Sequence, residues 1–253
     1  MYQTGIIAPI RFSEWVSNLV SIRKKTGEIR FCVDLRNLNK VSLKDHYPLP
    51  KMDILQRVVG ASSISLLDGF SRFNQILVHS DDQDKTSFTT PWGTFKYVKM
   101  PFGLKNIGAT FQRAIDIAFS KEIHDFLVIC LDDLTAFSKL DQEHLEHLRQ
   151  VFLICRKYGM SLNPKKSLFG LEEGKLLGHI ISKDGIRIDP ERRQAILQVP
   201  HPRNIKDLQA FLGKIHFLIR FIPNLVELIR FLNNMLKKDS KVKWTIEAKQ
   251  AFK

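Results

Sequence analysis

Two adjacent aspartates, Asp132 and Asp133, sit between the apolar runs of FLVICLDDLTAFSK, Phe126 to Lys139. Successive side chains on a flat strand point to opposite faces, so neighbouring carboxylates converge on one ion only where the backbone bends sharply. The flanks are apolar enough to be buried, and two unpaired carboxylates there are costly without a compensating cation. Asp68 closes an earlier apolar run, SISLLD, in the same manner. Three carboxylates form a hard oxygen site suited to Mg²⁺. Two such ions about 4 Å apart activate a hydroxyl nucleophile and stabilise the leaving oxygen of an in-line phosphoryl displacement. The plainer alternative is a solvated Asp-Asp turn, because aspartate is common in hairpin turns.

The elements that must position these carboxylates are mixed α and β. SISLLD (Ser63 to Asp68) and FLVICL (Phe126 to Leu131) are buried strands in pattern, and Ala109 to Phe119 turns to helical periodicity. Val16 to Asp34 reads as two strands joined at Thr26-Gly27, a hairpin with a basic tip, and Thr86 to Met100 as a second hairpin punctuated by Pro91 and Gly93. After the aspartates, DQEHLEHLRQVFLICRKYG predicts an amphipathic helix with Asp141 as N-cap and Gly159 as its stop. Its apolar stripe is Leu145, Leu148, Phe152 and Cys155, which leaves His144 and His147 on a solvated face. A hairpin over Lys175 to Asp189 gives way to helices starting at Asp189-Pro190 and Asn204, with a subdomain boundary near Gly185.

The chain has 253 residues, enough for one large domain or several packed subdomains. Lys and Arg number 39 against 26 Asp and Glu, and the resulting net charge of +13 is spread along the chain. That surplus favours a polyanion partner, with nucleic acid ahead of a membrane surface or an acidic protein; the alternative is charge that serves only solubility. Cys32, Cys130 and Cys155 lie far apart without a CxxC pair, which argues against a zinc site and a disulfide framework and fits a reducing compartment. The sequence has no signal-peptide pattern and no run near the roughly 18 apolar residues of a membrane span, so a soluble, intracellular protein is expected.

Five segments occur in an order that resembles the reverse transcriptases of gypsy-class LTR retrotransposons, parts of retrovirus-related Pol polyproteins. They are RFCVDLRNLNK (Arg30 to Lys40), LLDGFSRFNQI (Leu66 to Ile76), KMPFGLKNIGATFQ (Lys99 to Gln112), LDDLTAFSK (Leu131 to Lys139) and LGHIIS (Leu177 to Ser182). HPRNIKDLQAFLGKIHFLIRFIPN (His201 to Asn224) resembles that family's thumb helices. The resemblance implies an α+β right-hand polymerase whose palm is an antiparallel sheet backed by helices. Fingers would occupy mostly residues 1–62 and the palm 63–185, with a fingers insertion near 80–100. The helical thumb would follow over 186–240, and 241–253 would begin the connection and ribonuclease H region.

By the same resemblance, Asp68, Asp132 and Asp133 would be the catalytic carboxylates holding two Mg²⁺ ions, for which Mn²⁺ can substitute, with the Gly69 carbonyl as a further ligand. Lys24, Arg30, Ser71, Arg72, Phe73 and Phe102 would surround the incoming deoxynucleoside triphosphate. Lys24 would meet its phosphates, Arg30 would stack on its base, and Phe73 would exclude a 2′ hydroxyl. The bland alternatives are a solvated basic hairpin and a core phenylalanine. Asp34, Arg36 and Gln112 would support the template, and Leu177 and Gly178 the primer. The partners implied are an RNA template, a DNA primer, deoxynucleoside triphosphates and the protease, ribonuclease H and integrase of a longer polyprotein, with no membrane. The implied location is a cytoplasmic virus-like particle with a nuclear phase.

The sequence departs from the family pattern at Arg72, where a small residue is usual, at Cys130 and Thr135, and at Ile107-Gly108 in place of Ala-Pro. These departures imply a surviving fold with weak activity, or a relic that binds nucleic acid without turnover. A two-metal nuclease is the more distant alternative. The family also carries a helical stretch upstream of GIIAPIRFSEW, so the fingers are expected to be incomplete.

Overall fold

Alternation along SISLLD places Leu67 on one face and Asp68 on the other, and the sheet follows from that pattern. In a computed structural model, residues 1–23, 27, 29–48, 50, 52–70, 72–130, 133–236 and 250 are described, without the side chains of Arg30, Met52, Arg72, His124 and Cys130. Strand β4 (Ser63–Asp68) lies in a four-stranded sheet with β7 (Leu127–Cys130), β8 (Asp133–Ser138) and β9 (Leu168–Leu171), in the order β7-β8-β4-β9. Leu67, Leu127, Ile129, Leu134 and Ala136 share a core with Phe111 and Ile115 of α4 (Ile107–Ala118) and with Leu148, Val151 and Cys155 of α5 (Asp141–Lys157). Each fully buried large side chain contributes about 1.5–3 kcal/mol, so this layer anchors the strands whose ends carry the aspartates.

Helix α5 forms where expected but is rotated from the expected stripe. Its buried residues are His144, Leu148, Val151 and Cys155, whereas Leu145 is 79% exposed and Phe152 42% exposed. Both sets recur at helical spacing, and the choice is made by the sheet. His144 is accepted inside because Ser65 Oγ lies 2.7 Å from its Nε2 and Ser138 Oγ 2.8 Å from its Nδ1. The cap residue is Leu140, with Asp141 in the first turn accepting a hydrogen bond from Ser63 Oγ at 2.6 Å.

A five-stranded sheet in the order β1-β6-β5-β2-β3 contains both remaining sequence hairpins. Its strands are β1 (Ile7–Pro9), β2 (Ser17–Arg23), β3 (Ile29–Val33), β5 (Phe88–Thr90) and β6 (Gly93–Tyr97). Strands β2 and β3 pair antiparallel from Leu19–Val33 to Arg23–Ile29, while β2 and β5 pair parallel. Short helices α1 (Arg36–Val41), α2 (Leu55–Val58) and α3 (Ser80–Gln83) connect the strands.

The chain divides into two units, Met1–Gly174 with Ile181–Gly185, and Lys175–Ile180 with Ile186–Lys253. The hairpin expected over Lys175 to Asp189 is instead a three-stranded sheet of β10 (Glu173–Leu176), β11 (His179–Ser182) and β12 (Gly185–Ile188). The extra reversal arises at Leu177-Gly178, where φ is +50° and +78°, the conformation of a type I′ turn. Within the second unit, helices α6 (Pro190–Leu197), α7 (Ile205–His216), α8 (Leu225–Leu228) and α9 (Arg230–Asn234) follow. Asp189 and Asn204 cap α6 and α7 as their sequence positions predict, accepting from the amides of Glu191 at 3.1 Å and Asp207 at 2.9 Å. Leu208, Phe211, Leu212, Leu225 and Leu232 form the core of this helical unit. Among the described residues no helix is long and apolar enough to cross a membrane.

Candidate catalytic carboxylate site

Asp68 and Asp133 are direct partners across the β4–β8 pair. Cys130 pairs with Asp133 at the end of β7–β8, and the two residues between them, Leu131 and Asp132, lie outside the described residues. The expected meeting of three carboxylates is therefore described for two of them. Among the described residues no group of three or more His, Cys, Asp or Glu side chains gathers as a metal site.

The backbone sets how the pair faces outward. The Asp68 carbonyl accepts from Asn163 N at 2.7 Å and its amide donates to Ser167 Oγ at 3.2 Å, both on the side away from β8. Asp68 and Asp133 thus form a non-hydrogen-bonded pair, the closer of the two antiparallel types, with Cα atoms typically about 4.5 Å apart. Like charges directly opposite in such a pair are destabilising. Asp133 is exposed and Asp68 half-buried, so the pair opens on solvent above a packed sheet. Gly69 bridges Leu162, and the hydrogen bonds of that bridge belong to its neighbours: Phe70 N donates to Ser161 O at 2.9 Å and Asn163 N to Asp68 O. The Gly69 carbonyl is consequently turned to the β8 side, the side of Asp133. Two carboxylates and a carbonyl on one side of a strand end are donors that fit a hard divalent cation.

Phe73 is partly buried against the core, with its ring 5.5 Å from Phe111 edge-on and 6.3 Å from Phe102. It joins the core to Phe102, which is 66% exposed. The packing of Phe73 on Phe111 is that of a core phenylalanine. Asp34 holds Arg36 through a forked contact, Nε to Oδ1 at 2.9 Å and Nη2 to Oδ2 at 2.6 Å. That contact lowers the Asp34 pKa to about 2. Gln112, expected at the template, is only 1% exposed, and its amide donates to Asp116 at 2.9 Å. Its position on the inner side of α4 directs it to an internal partner. Leu177 and Gly178 form the turn in the second unit, where an added Cβ on Gly178 would collide with Arg192 Nη1. Lys24, Ser71 and Asp132 lie outside the described residues, as do the side chains of Arg30, Arg72 and Cys130 and the stretch 242–249.

Several contacts carry no warning in the sequence. Asn39 Nδ2 donates to Gly103 O at 2.7 Å and its Oδ1 accepts from Lys105 N at 2.7 Å, while Asn106 Nδ2 donates to Leu43 O at 2.8 Å. The RNLNK and PFGLKN segments are thereby tied together. Such amide links depend on which backbone passes nearby, and periodicity does not encode that.

Residues 22–181 match the family described as reverse transcriptase (RNA-dependent DNA polymerase). The chain belongs to the reverse transcriptase family. Among relatives of this reverse transcriptase, a transposon Tf2-3 polyprotein of Schizosaccharomyces pombe is 34% identical over 91% of the chain and 17% of its own length. A retrovirus-related Pol polyprotein from transposon 297 of Drosophila melanogaster is 32% identical over 96% of the chain and 23% of its own length. These relatives bear out the gypsy-class resemblance, and the chain spans about a fifth of their length. A foamy viral protease-reverse transcriptase in complex with double-stranded DNA superposes with a TM-score of 0.87 at 25% identity, over 99% of this chain and 44% of that one. That match bears out the α+β polymerase fold. Reverse transcriptases generally use divalent metal ions.

Proposed function

We propose that this reverse transcriptase domain extends a DNA primer on an RNA or DNA template with deoxynucleoside triphosphates. The observation that carries the proposal is the placement of Asp68 directly opposite Asp133 at a solvent-facing strand end. Asp68, Asp133, Asp132 and the Gly69 carbonyl would hold two Mg²⁺ ions. When bound there, such ions supply charge stabilisation for an attacking hydroxyl and a departing pyrophosphate.

The chain's own residues supply position. The β4–β8 pair holds two carboxylates in register on packed strands. Phe73, buttressed by Phe111, would exclude a 2′ hydroxyl. Asp34 fixes the Arg36 guanidinium, which would meet the template, and the basic surplus would follow sugar-phosphate backbones. In this reading the first unit is fingers and palm, and the helical second unit carries the primer turn Leu177-Gly178 and the thumb. The protease, ribonuclease H and integrase of the longer polyprotein are its expected neighbours in the chain.

Primer extension with purified protein over a Mg²⁺ and Mn²⁺ series is the test. Wild type is expected to incorporate deoxynucleotides, and Asp68→Asn to lose about 10²-fold or more of the rate. Primer–template binding without any extension would instead identify a binding relic. Nucleotide release without added deoxynucleotides would identify a nuclease.

A further inference from the structure

Beyond Asp68 the chain leaves β4 as Gly69-Phe70 and passes along the Ser161–Asn163 segment that follows α5. One side chain locks the two together. Gln75 Oε1 accepts from Ser161 N at 2.8 Å, and Gln75 Nε2 donates to Ser161 O at 3.0 Å and to Phe70 O. The amide group thus meets both backbone groups of Ser161, as a paired strand residue would. Ser161 O also accepts from Phe70 N at 2.9 Å, so its two lone pairs receive two donors.

The clamp closes on the loop that bears the candidate nucleotide residues. Gln75 ends the turn Arg72–Gln75, and its contact with Phe70 O fixes both ends of the stretch containing Phe73. On the far side, Asn163 N holds Asp68 O at 2.7 Å, and Ser167 Oγ accepts from Asp68 N while donating to Asn163 O at 2.8 Å. Below lies a cavity of about 140 Å³ lined by Gly69, Gln75, Phe111, Ile115, Tyr158 and Ser161. Phe73 and Ile76 anchor the loop on the core, and beside the cavity the hydrogen bonds of Gln75 hold its two ends.

We propose that Gln75 is a positioning residue that sets the Asp68 carboxylate and Gly69 carbonyl for cation binding by clamping Phe70 to Ser161. This rests on the polymerase reading above. Gln75 acts through the backbone of Phe70 and Ser161. Displacements of about 1 Å at a reacting centre cost roughly 10²-fold in rate, so a loosened clamp should appear in metal binding and turnover before it appears in stability.

The test is Mn²⁺ binding by electron paramagnetic resonance on the full chain, with primer-extension kinetics and thermal melting in parallel. Asp68→Asn defines the site-specific signal. Gln75→Met preserves side-chain length and removes the amide, and Ile76→Val trims the adjacent core residue as a stability control. Gln75→Met is expected to weaken Mn²⁺ binding about tenfold and lower kcat at least as much, with the Kd for primer–template unchanged and melting no lower than in Ile76→Val. Should Gln75→Met fail to fold, Gln75→Asn decides the matter by the same readouts, because its amide is one methylene short of Ser161. Wild-type Mn²⁺ affinity and kcat in the folded Gln75 variant would overturn the clamp alone. A wild type with no Mn²⁺ signal sensitive to Asp68→Asn would overturn the polymerase reading, and the clamp's role with it.

Discussion

Thr135 stands two residues beyond Asp133 on the same face of β8, fully buried, and its hydroxyl finds no hydrogen-bond partner among the described residues. An unsatisfied buried hydroxyl costs about 1–3 kcal/mol, whereas an apolar group of the same shape is neutral or better. Thr135→Val is therefore expected to stabilise the chain by about 1 kcal/mol, read from denaturant midpoints at unchanged slope; a destabilised variant would mean the hydroxyl is satisfied. The unusual sequence choice at this position thus weakens packing behind the carboxylates without touching them. His179 in the second unit has a related problem, with Nδ1 3.2 Å from Leu177 O and Nε2 unpartnered among the described residues. Its ring stacks on Phe217 at 4.1 Å and lies 5.6 Å from Phe221, and burial lowers its pKa.

Helix α5 decides how the carboxylate sheet is backed, and its register can be read by mutation. Leu148→Ala, at a buried site, is expected to cost about 2–5 kcal/mol. Leu145→Ala, at an exposed one, should stay within about 0.5 kcal/mol. Comparable losses at the two sites in urea unfolding would restore the other stripe. The buried polar seam between helix and sheet adds a pH dependence. His144 bridges Ser65 and Ser138, Ser138 Oγ reaches His147 Nδ1 at 2.7 Å, and His147 stacks on Phe126 at 4.1 Å. Burial lowers the His144 pKa below 6.5, His147 lowers it further, and Asp141 opposes them. The unfolded chain then binds more protons than the folded one once pH falls below about 6.5, so stability is retained above that value and lost as pH drops toward the lowered one. Melting temperature should fall from pH 7.5 to 5.5 more steeply in wild type than in His144→Gln. Parallel curves would remove His144 as the source.

At the scale of the whole molecule, the charge of +13 is the dominant feature. Among the described residues most Lys and Arg side chains are exposed. If binding to primer–template consists of phosphate contacts, affinity should fall by about 10³-fold or more between roughly 50 and 200 mM salt. Fluorescence anisotropy across that range checks it, and a flat response would argue for base-reading contacts instead.

Period and capping chemistry are local properties, and they sufficed for the strand Ser63–Asp68, the hairpins of the five-stranded sheet, the helix after the aspartates and the caps Asp189 and Asn204. The order of five motifs, together with the acidic pair, was enough to indicate the family. Tertiary structure alone decided which stripe of α5 faces inward, because two stripes fit one period and only the serines of β4 and β8 make a buried histidine acceptable. It also decided that Gln112 turns inside and that Gln75 clamps Ser161. The pairing of Asp68 with Asp133 belongs to the same class, since strand register joins residues far apart along the chain and leaves no mark in the spacing of either segment.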